Sequence, residues 1–303
     1  MTLLTPLATL LSNENLIQLT PTLILAALYG RRVRTLARSS HPVSTWRQAS
    51  FYSGLALILI ALLSPIGDLS DELFYVHMIE HILMGEFASL LIVLGLTGPL
   101  LVPILRIGFF DRLRALSHPL IAFPLWALDL YTWHLPFFYQ EALRHLAVHA
   151  LEHTMFIAFG VNMWMCLFGP LPKPSWFGNL GKLIYIIAVR FAGSVLGNIF
   201  LWSGTVFYPF YSHPDAVHKI AALTDQRMAG GIMMTEEGIL TICLFCWLFL
   251  RAASDSEHRQ ELLDLAHDRG VELSEQRAAR AVAAGRGGEL RKRIESAGSV
   301  DAY

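Results

Sequence analysis

Long apolar stretches separated by short polar segments dominate the first 250 residues of this chain. A helix that crosses a bilayer needs roughly 20 consecutive apolar residues. That ruler predicts seven spans, at about 13–30, 47–65, 72–97, 119–139, 145–169, 180–202 and 226–250. Pro21 interrupts the first, as a membrane helix tolerates. After Arg251 the pattern changes: 252–303 is rich in Ala, Glu and Arg, and reads as a polar helix from Glu261 to Arg280 that Gly285, Gly287 and Gly288 then break. The expected fold is an all-α integral membrane protein, a seven-transmembrane-helix bundle over 1–250 followed by a cytoplasmic polar tail, helical or disordered, over 251–303.

Composition agrees. The chain is 54% hydrophobic and 16% charged, against about 25% charged residues in soluble domains, and its mean hydropathy is +0.48. A net charge of −1 lacks the basic footprint of a nucleic-acid binder, so the lipid bilayer is the expected partner surface. Cys166, Cys243 and Cys246 lie inside apolar runs, which is no secreted disulfide framework. Cys243-x-x-Cys246 has redox spacing but reads as filler in a membrane helix. The N-terminus lacks a basic n-region, so no cleaved signal peptide is expected.

Basic residues set the orientation. Arg31, Arg32, Arg34, Arg38 and Arg47 follow span one; Arg106, Arg112 and Arg114 follow span three; Lys173 and Lys182 follow span five. The alternate loops hold far fewer, which places the N-terminus outside and the C-terminus inside. The segment from Leu100 to Leu116 reads as an amphipathic helix along the inner surface.

The chemistry lies in polar residues within the apolar stretches. The pentad His-x-x-Glu-His occurs twice, as His77-Met78-Ile79-Glu80-His81 and as His149-Ala150-Leu151-Glu152-His153. Each copy lies near the start of a predicted span, where an ionisable side chain is costly and marks a functional candidate. Residues i and i+4 share a helix face, so each copy stacks two imidazoles one turn apart. Met84 continues the first stripe and His145 extends the second. On the predicted topology both copies fall at the outer side. His134 reaches that level at the end of span four, as do Asp225, Gln226, Met228, Met233 and Met234 opening span seven, with His213 and His218 in the loop before it. A lone interfacial His is ordinarily satisfied by a backbone carbonyl. Two matched pentads with His134 at one depth point instead to a metal or cofactor site. Imidazole suits zinc, copper, iron and nickel, and thioether selects Cu(I). Glu80 and Glu152 are ligands or acceptors that orient the imidazoles, and are expected to face inward.

A second polar layer, Glu86, Asp129, Arg190, Glu236 and Glu237, falls mid-span. One arginine cannot neutralise four carboxylates, so Arg190 is expected to pair with Asp129 or Glu236. The small residues Ala229, Gly230 and Gly231 suit close helix approach, and Met233 and Met234 suit packing as well as ligation.

Three patterns give a resemblance. They are His77-Met78-x-x-His81; Trp133-His134-x-Pro136 with Tyr139, Ala142 and Leu143, leading to His149-x-x-Glu152-His153, Phe156, Gly160 and Trp164; and Asp225-Gln226-x-x-Ala229-Gly230-x-Ile232-Met233. In this order, over roughly 20–250, the chain resembles the CtaG-like, seven-helix integral membrane family of bacterial cytochrome c oxidase assembly factors. It departs from the family pattern at Glu80, Ile82 and Met234. The resemblance implies a role in maturing haem–copper oxidases in the bacterial cytoplasmic membrane, with copper delivered to an oxidase subunit or another copper-handling protein. It also implies His77, His81, His134, His149, His153 and Asp225 as candidate copper ligands.

The leading expectation is therefore a non-enzymatic copper metallochaperone. An integral membrane zinc hydrolase is the first alternative, with the Glu of His-x-x-Glu-His as base beside a zinc-bound water. Haem binding, with axial imidazoles from spans three and five, is the second.

Overall fold

The computed structural model describes residues 13–108, 113–283 and 285–297. Among the described residues every regular element is helical. In chain order, besides a single 3-10 turn at Pro209–Tyr211, they are α1 (Asn13–Leu36), α2 (Thr45–Leu63), α3 (Pro65–Ser70), α4 (Phe74–Gly95), α5 (Gly98–Leu105), α6 (Leu113–Leu116), α7 (Pro119–Trp133), α8 (Pro136–Arg144), α9 (Leu146–Phe168), α10 (Asn179–Trp202), α11 (Ser212–Val217), α12 (Ala222–Asp268), α13 (Glu275–Ala283) and α14 (Gly287–Ala297). Five of them, α2, α4, α9, α10 and α12, are long and apolar enough to cross a membrane. The chain is a multi-pass membrane protein.

Two predicted spans take a different form. α1 is helical but continues through Arg31, Arg32 and Arg34, which lowers its mean apolarity. The fourth stretch divides at His134 and Leu135. Proline disfavours a helical residue before it, and Leu135, which precedes Pro136, adopts an extended conformation (φ −68°, ψ 133°). α7 therefore stops at Trp133 with His134 as its C-cap. The surface helix expected over Leu100 to Leu116 is described as α5 and α6; Asp111 and Arg112 lie outside the described residues.

The chain forms two compact units, Met1–Ile239 and Leu240–Tyr303, with α12 contributing to both. In the first, charged side chains close helix ends. Arg47 Nη1 donates to the carbonyls of Leu94 (2.9 Å) and Leu96 (3.0 Å) at the end of α4, where terminal carbonyls lack helical partners. α10 shows the sidedness of a membrane helix. Leu180, Ile184, Ile187 and Phe191 are exposed, while Ile186, Val189, Arg190 and Gly193 are buried. An apolar face points outward, and the charged Arg190 lies on the inward one.

In the second unit, Gly285 breaks the tail as expected, turning the chain at a positive φ of 68° between α13 and α14; Gly270 makes a further turn at 66°, whereas Gly287 and Gly288 begin α14. Leu262, Ala266 and Ile294 form a small apolar core there.

α4 carries one irregularity that matters below. Residues Ile82–Ala88 are π-helical, a rare form that concentrates at functional sites. Beside it α4 and α9 approach until backbones touch: a Cβ on Gly160 would collide with the carbonyl oxygen of Gly85.

Candidate metal centre

Two helices supply the donors. α4 presents His77 and His81, whose ring centroids are 4.2 Å apart, and α9 presents His149 and His153, 4.1 Å apart. The pairs face each other: His77 stacks on His149 at 5.4 Å and 17°, and His81 meets His153 edge-on at 5.3 Å. With Glu152, these side chains offer five ligand atoms all within 4.8 Å of one another. His77 is fully buried, Glu152 is 1% exposed, and His149 alone of the five is half-buried.

Such crowding of buried polar atoms is costly unless they are satisfied. The Nε2 atoms of all four histidines, and both carboxylate oxygens of Glu152, are buried without a hydrogen-bond partner. Four imidazole nitrogens and one carboxylate are a donor set that a single metal ion satisfies, and the composition fits copper or zinc. Local bonds orient the rings accordingly. His77 Nδ1 donates to the Ser70 carbonyl (3.3 Å) and His134 Nδ1 to the Leu130 carbonyl (2.7 Å). A proton held on Nδ1 leaves Nε2 as the lone-pair donor.

The other predicted residues fall as follows. His134 lies beside the group, its ring 6.3 Å from that of His81, with Nε2 unpartnered. Glu80 is inward and 2% exposed, but stands outside the five. The structure does not bring Asp225 into the cluster. Its Oδ2 accepts from Phe74 N (2.7 Å) and its Oδ1 from Tyr75 N (2.9 Å). Asp225 thus caps the first turn of α4, whose own N-cap, Leu73, supplies no side-chain bond. Gln226 completes the clamp, accepting from Phe207 N (2.8 Å) and donating to the Thr205 carbonyl (2.9 Å). Met84 packs into the apolar cluster with α2, His145 is exposed beside Glu141, and His218 pairs with Glu72 at 2.6 Å.

Tyr208 and Tyr211 escaped the sequence reading, and Tyr139 entered it only as part of the family pattern. Tyr139 packs against His77 and His134 and stacks on Tyr208 at 4.1 Å. Tyr208 donates to the His134 carbonyl (2.6 Å), and Tyr211 to the Ser70 carbonyl (3.2 Å) that also receives His77. Burial pushes the Tyr208 and Tyr211 phenols far above their usual range, so both remain O–H donors. Aromatic density in 207–211 was the only available signal.

The second polar layer bears out one of the two expected partners of Arg190, Glu236, and adds two more. Arg190 contacts Glu86 (2.9 Å), Glu236 (3.3 Å) and Glu237 (3.2 Å). The expected alternative partner, Asp129, is not among them, and neither of its oxygens has a hydrogen-bond partner.

Asp215, 1% exposed in α11, supplies a pH prediction. Burial, then the neighbouring Asp225 carboxylate, push its carboxyl from 3.8 up to about 7, with His218 opposing. A raised folded-state value means that the folded protein holds the proton more tightly. That stabilisation is complete below the ordinary carboxylate range and disappears as pH rises to about 7. Unfolding temperature in detergent is expected to fall between pH 4.5 and 7.5 (roughly the window this shift defines). Asp215→Asn is expected to flatten that segment, and an unchanged slope would refute the assignment.

Two uncharacterized mycobacterial proteins, from Mycobacterium bovis and Mycobacterium tuberculosis, are each 24% identical to this chain over 240 residues, covering 72% of it. The chain spans 36% of the length of these curated relatives. No solved structure matches it. Residues 27–255, well over half of the chain, match the family model for the cytochrome c oxidase caa3 assembly factor (Caa3_CtaG), and the chain belongs to that family.

Proposed function

We propose that this assembly factor captures a copper ion as cargo in the cage formed by His77, His81, His149, His153 and Glu152, and passes it to an oxidase subunit. The observation that carries the reading is the convergence of five buried donor atoms within 4.8 Å, with the four imidazole Nε2 atoms and the Glu152 carboxylate lacking hydrogen-bond partners. His134, with a bare Nε2 beside the cage, is the next donor along. Half-buried His149 offers the entry point.

In this reading the chain crosses the bacterial cytoplasmic membrane seven times, with the N-terminus outside and the C-terminus in the cytoplasm. The alternation of arginine-rich and arginine-poor loops supports that orientation. The cage then opens toward the outer face, and its role is binding and transfer without catalysis. Asp225 acts as a positioning residue that holds the start of α4.

Haem fits the geometry poorly. Axial imidazoles stand on opposite faces of a macrocycle, whereas His77 and His149 stack directly on each other at 5.4 Å. A zinc hydrolase remains the competing chemistry, because the unpartnered Glu152 carboxylate adjoins the imidazoles as a base would.

Metal analysis of the purified protein separates these readings. About one copper per chain is expected in the wild type, with at least tenfold weaker binding in His77→Ala/His149→Ala, since two of the donors are removed. Zinc in place of copper, together with peptide or lipid hydrolysis, would overturn the cargo reading. Absence of any bound metal would overturn both.

A further inference from the structure

A cavity of about 60 Å³ joins the histidines to the second polar layer. His81 and His134 line one part of it, and Glu86, Glu236 and Glu237 another. A water needs at least about 10–15 Å³ of such space and two or more polar partners, so this volume has room for a short file of waters. Both ring nitrogens of His81 and Nε2 of His134 are buried without hydrogen-bond partners, on side chains that line the cavity and are only 6% and 7% exposed. The π-helical segment explains the alignment. Residues five apart stand about 140° apart on an α-helix at 100° per residue. The i→i+5 bonding of a π segment brings them nearly into line, so His81 and Glu86 face the same space.

The charge balance of the far end is incomplete. The charged or titratable groups facing it are Glu86 from α4, Arg190 and Tyr185 from α10, and Glu236 and Glu237 from α12; α9 contributes the uncharged Trp164. One guanidinium meets three carboxyl groups, all buried. Full ionisation would leave two uncompensated negative charges in a medium that disfavours even one. The site is nevertheless built to hold the carboxyls: a Cβ at Gly193 would collide with Glu237 Oε1. A divalent cation entering the cage exceeds the single negative charge that Glu152 can supply, and so creates the opposite imbalance a short distance away.

We propose that Glu86, Glu236 and Glu237, held by Arg190, form an intramembrane proton-binding site that exchanges a proton for the cation captured by the histidine cage. The inference rests on the cage being a cation site. As the cation arrives, one carboxyl O–H bond breaks and the proton leaves along the cavity water to bulk. The carboxylate left behind balances one unit of the incoming charge. No electron is transferred.

The test titrates the full-length protein in weakly buffered detergent with Cu(II), reading bound metal and a pH-indicator dye together. Wild type is expected to release about one proton per ion bound, and its affinity to strengthen about tenfold per pH unit. Glu236→Gln/Glu237→Gln is expected to bind the ion with proton release at least halved and a flattened pH dependence. Glu86→Gln, which keeps an acceptor for Arg190, serves in the same way should the double variant fail to accumulate. Unchanged proton release in variants that bind the ion would overturn the exchange while leaving the cage intact. No binding by the wild type would overturn the cage reading and the exchange with it.

Discussion

Arg190→Leu is expected to lose about 3–5 kcal/mol of stability, the range for breaking a buried ion pair from one side. Arg190 is 3% exposed and supplies the only cation that contacts Glu86, Glu236 and Glu237 among the described residues. Leucine would fill part of its volume but leave three buried carboxyl groups without their shared donor. Lower accumulation in the membrane and a markedly lower unfolding temperature in detergent would register the loss. Arg190→Lys keeps the charge but not the planar fork that reaches several oxygens at once, so it should fall between the two. Combining Arg190→Leu with Glu86→Gln and Glu236→Gln should recover part of the deficit, because fewer potential charges are stranded. Normal accumulation and an unshifted midpoint in Arg190→Leu would show that the cluster does not depend on its arginine.

Asp225→Ala is expected to cost about 2–4 kcal/mol, since it strips the acceptors from two amides at the start of α4. The consequence should reach the metal centre indirectly. His77 lies three residues beyond Phe74, so fraying of that turn would loosen the first donor. Asp225→Asn retains one oxygen acceptor and is the discriminating variant. As a cap residue it should keep the wild-type metal content with a lowered unfolding temperature. A loss of metal in Asp225→Asn at unchanged stability would make Asp225 a ligand after all, and would demand a rearrangement of α4.

How far these features could be read in advance depended on whether they were local. The two histidine pairs were legible because i,i+4 spacing on a helix is a property of a few adjacent residues. The break that leaves His134 at the end of α7 was carried by Pro136, yet the apolar run concealed it behind a single span. Asp225 was visible as an acid at the level of the histidines. Its use as a cap was not, because the amides it serves lie 150 residues away. Of the partners expected for Arg190, Glu236 is one and Asp129 is not, while Glu86 and Glu237 were not foreseen, for a related reason. Hydropathy places residues by depth, while pairing depends on how each helix is rotated about its axis, and Glu86 faces Arg190 through a π-helical segment that no periodicity announced.

By itself the sequence determined the membrane class of the chain, the helices that carry its donors and the chemical type of its candidate site. Those follow from one-dimensional quantities: apolar run length, helical spacing and the scarcity of ionisable residues within apolar runs. The tertiary structure alone decided that the two histidine pairs face each other, that Asp225 is spent on the backbone of α4, and that a cavity connects the cage to the Arg190 cluster. Each of those depends on helix rotation and close approach, which small side chains such as Gly160 and Gly193 permit but do not direct. Only the packed arrangement fixes which buried polar atoms find partners and which remain to bind something else.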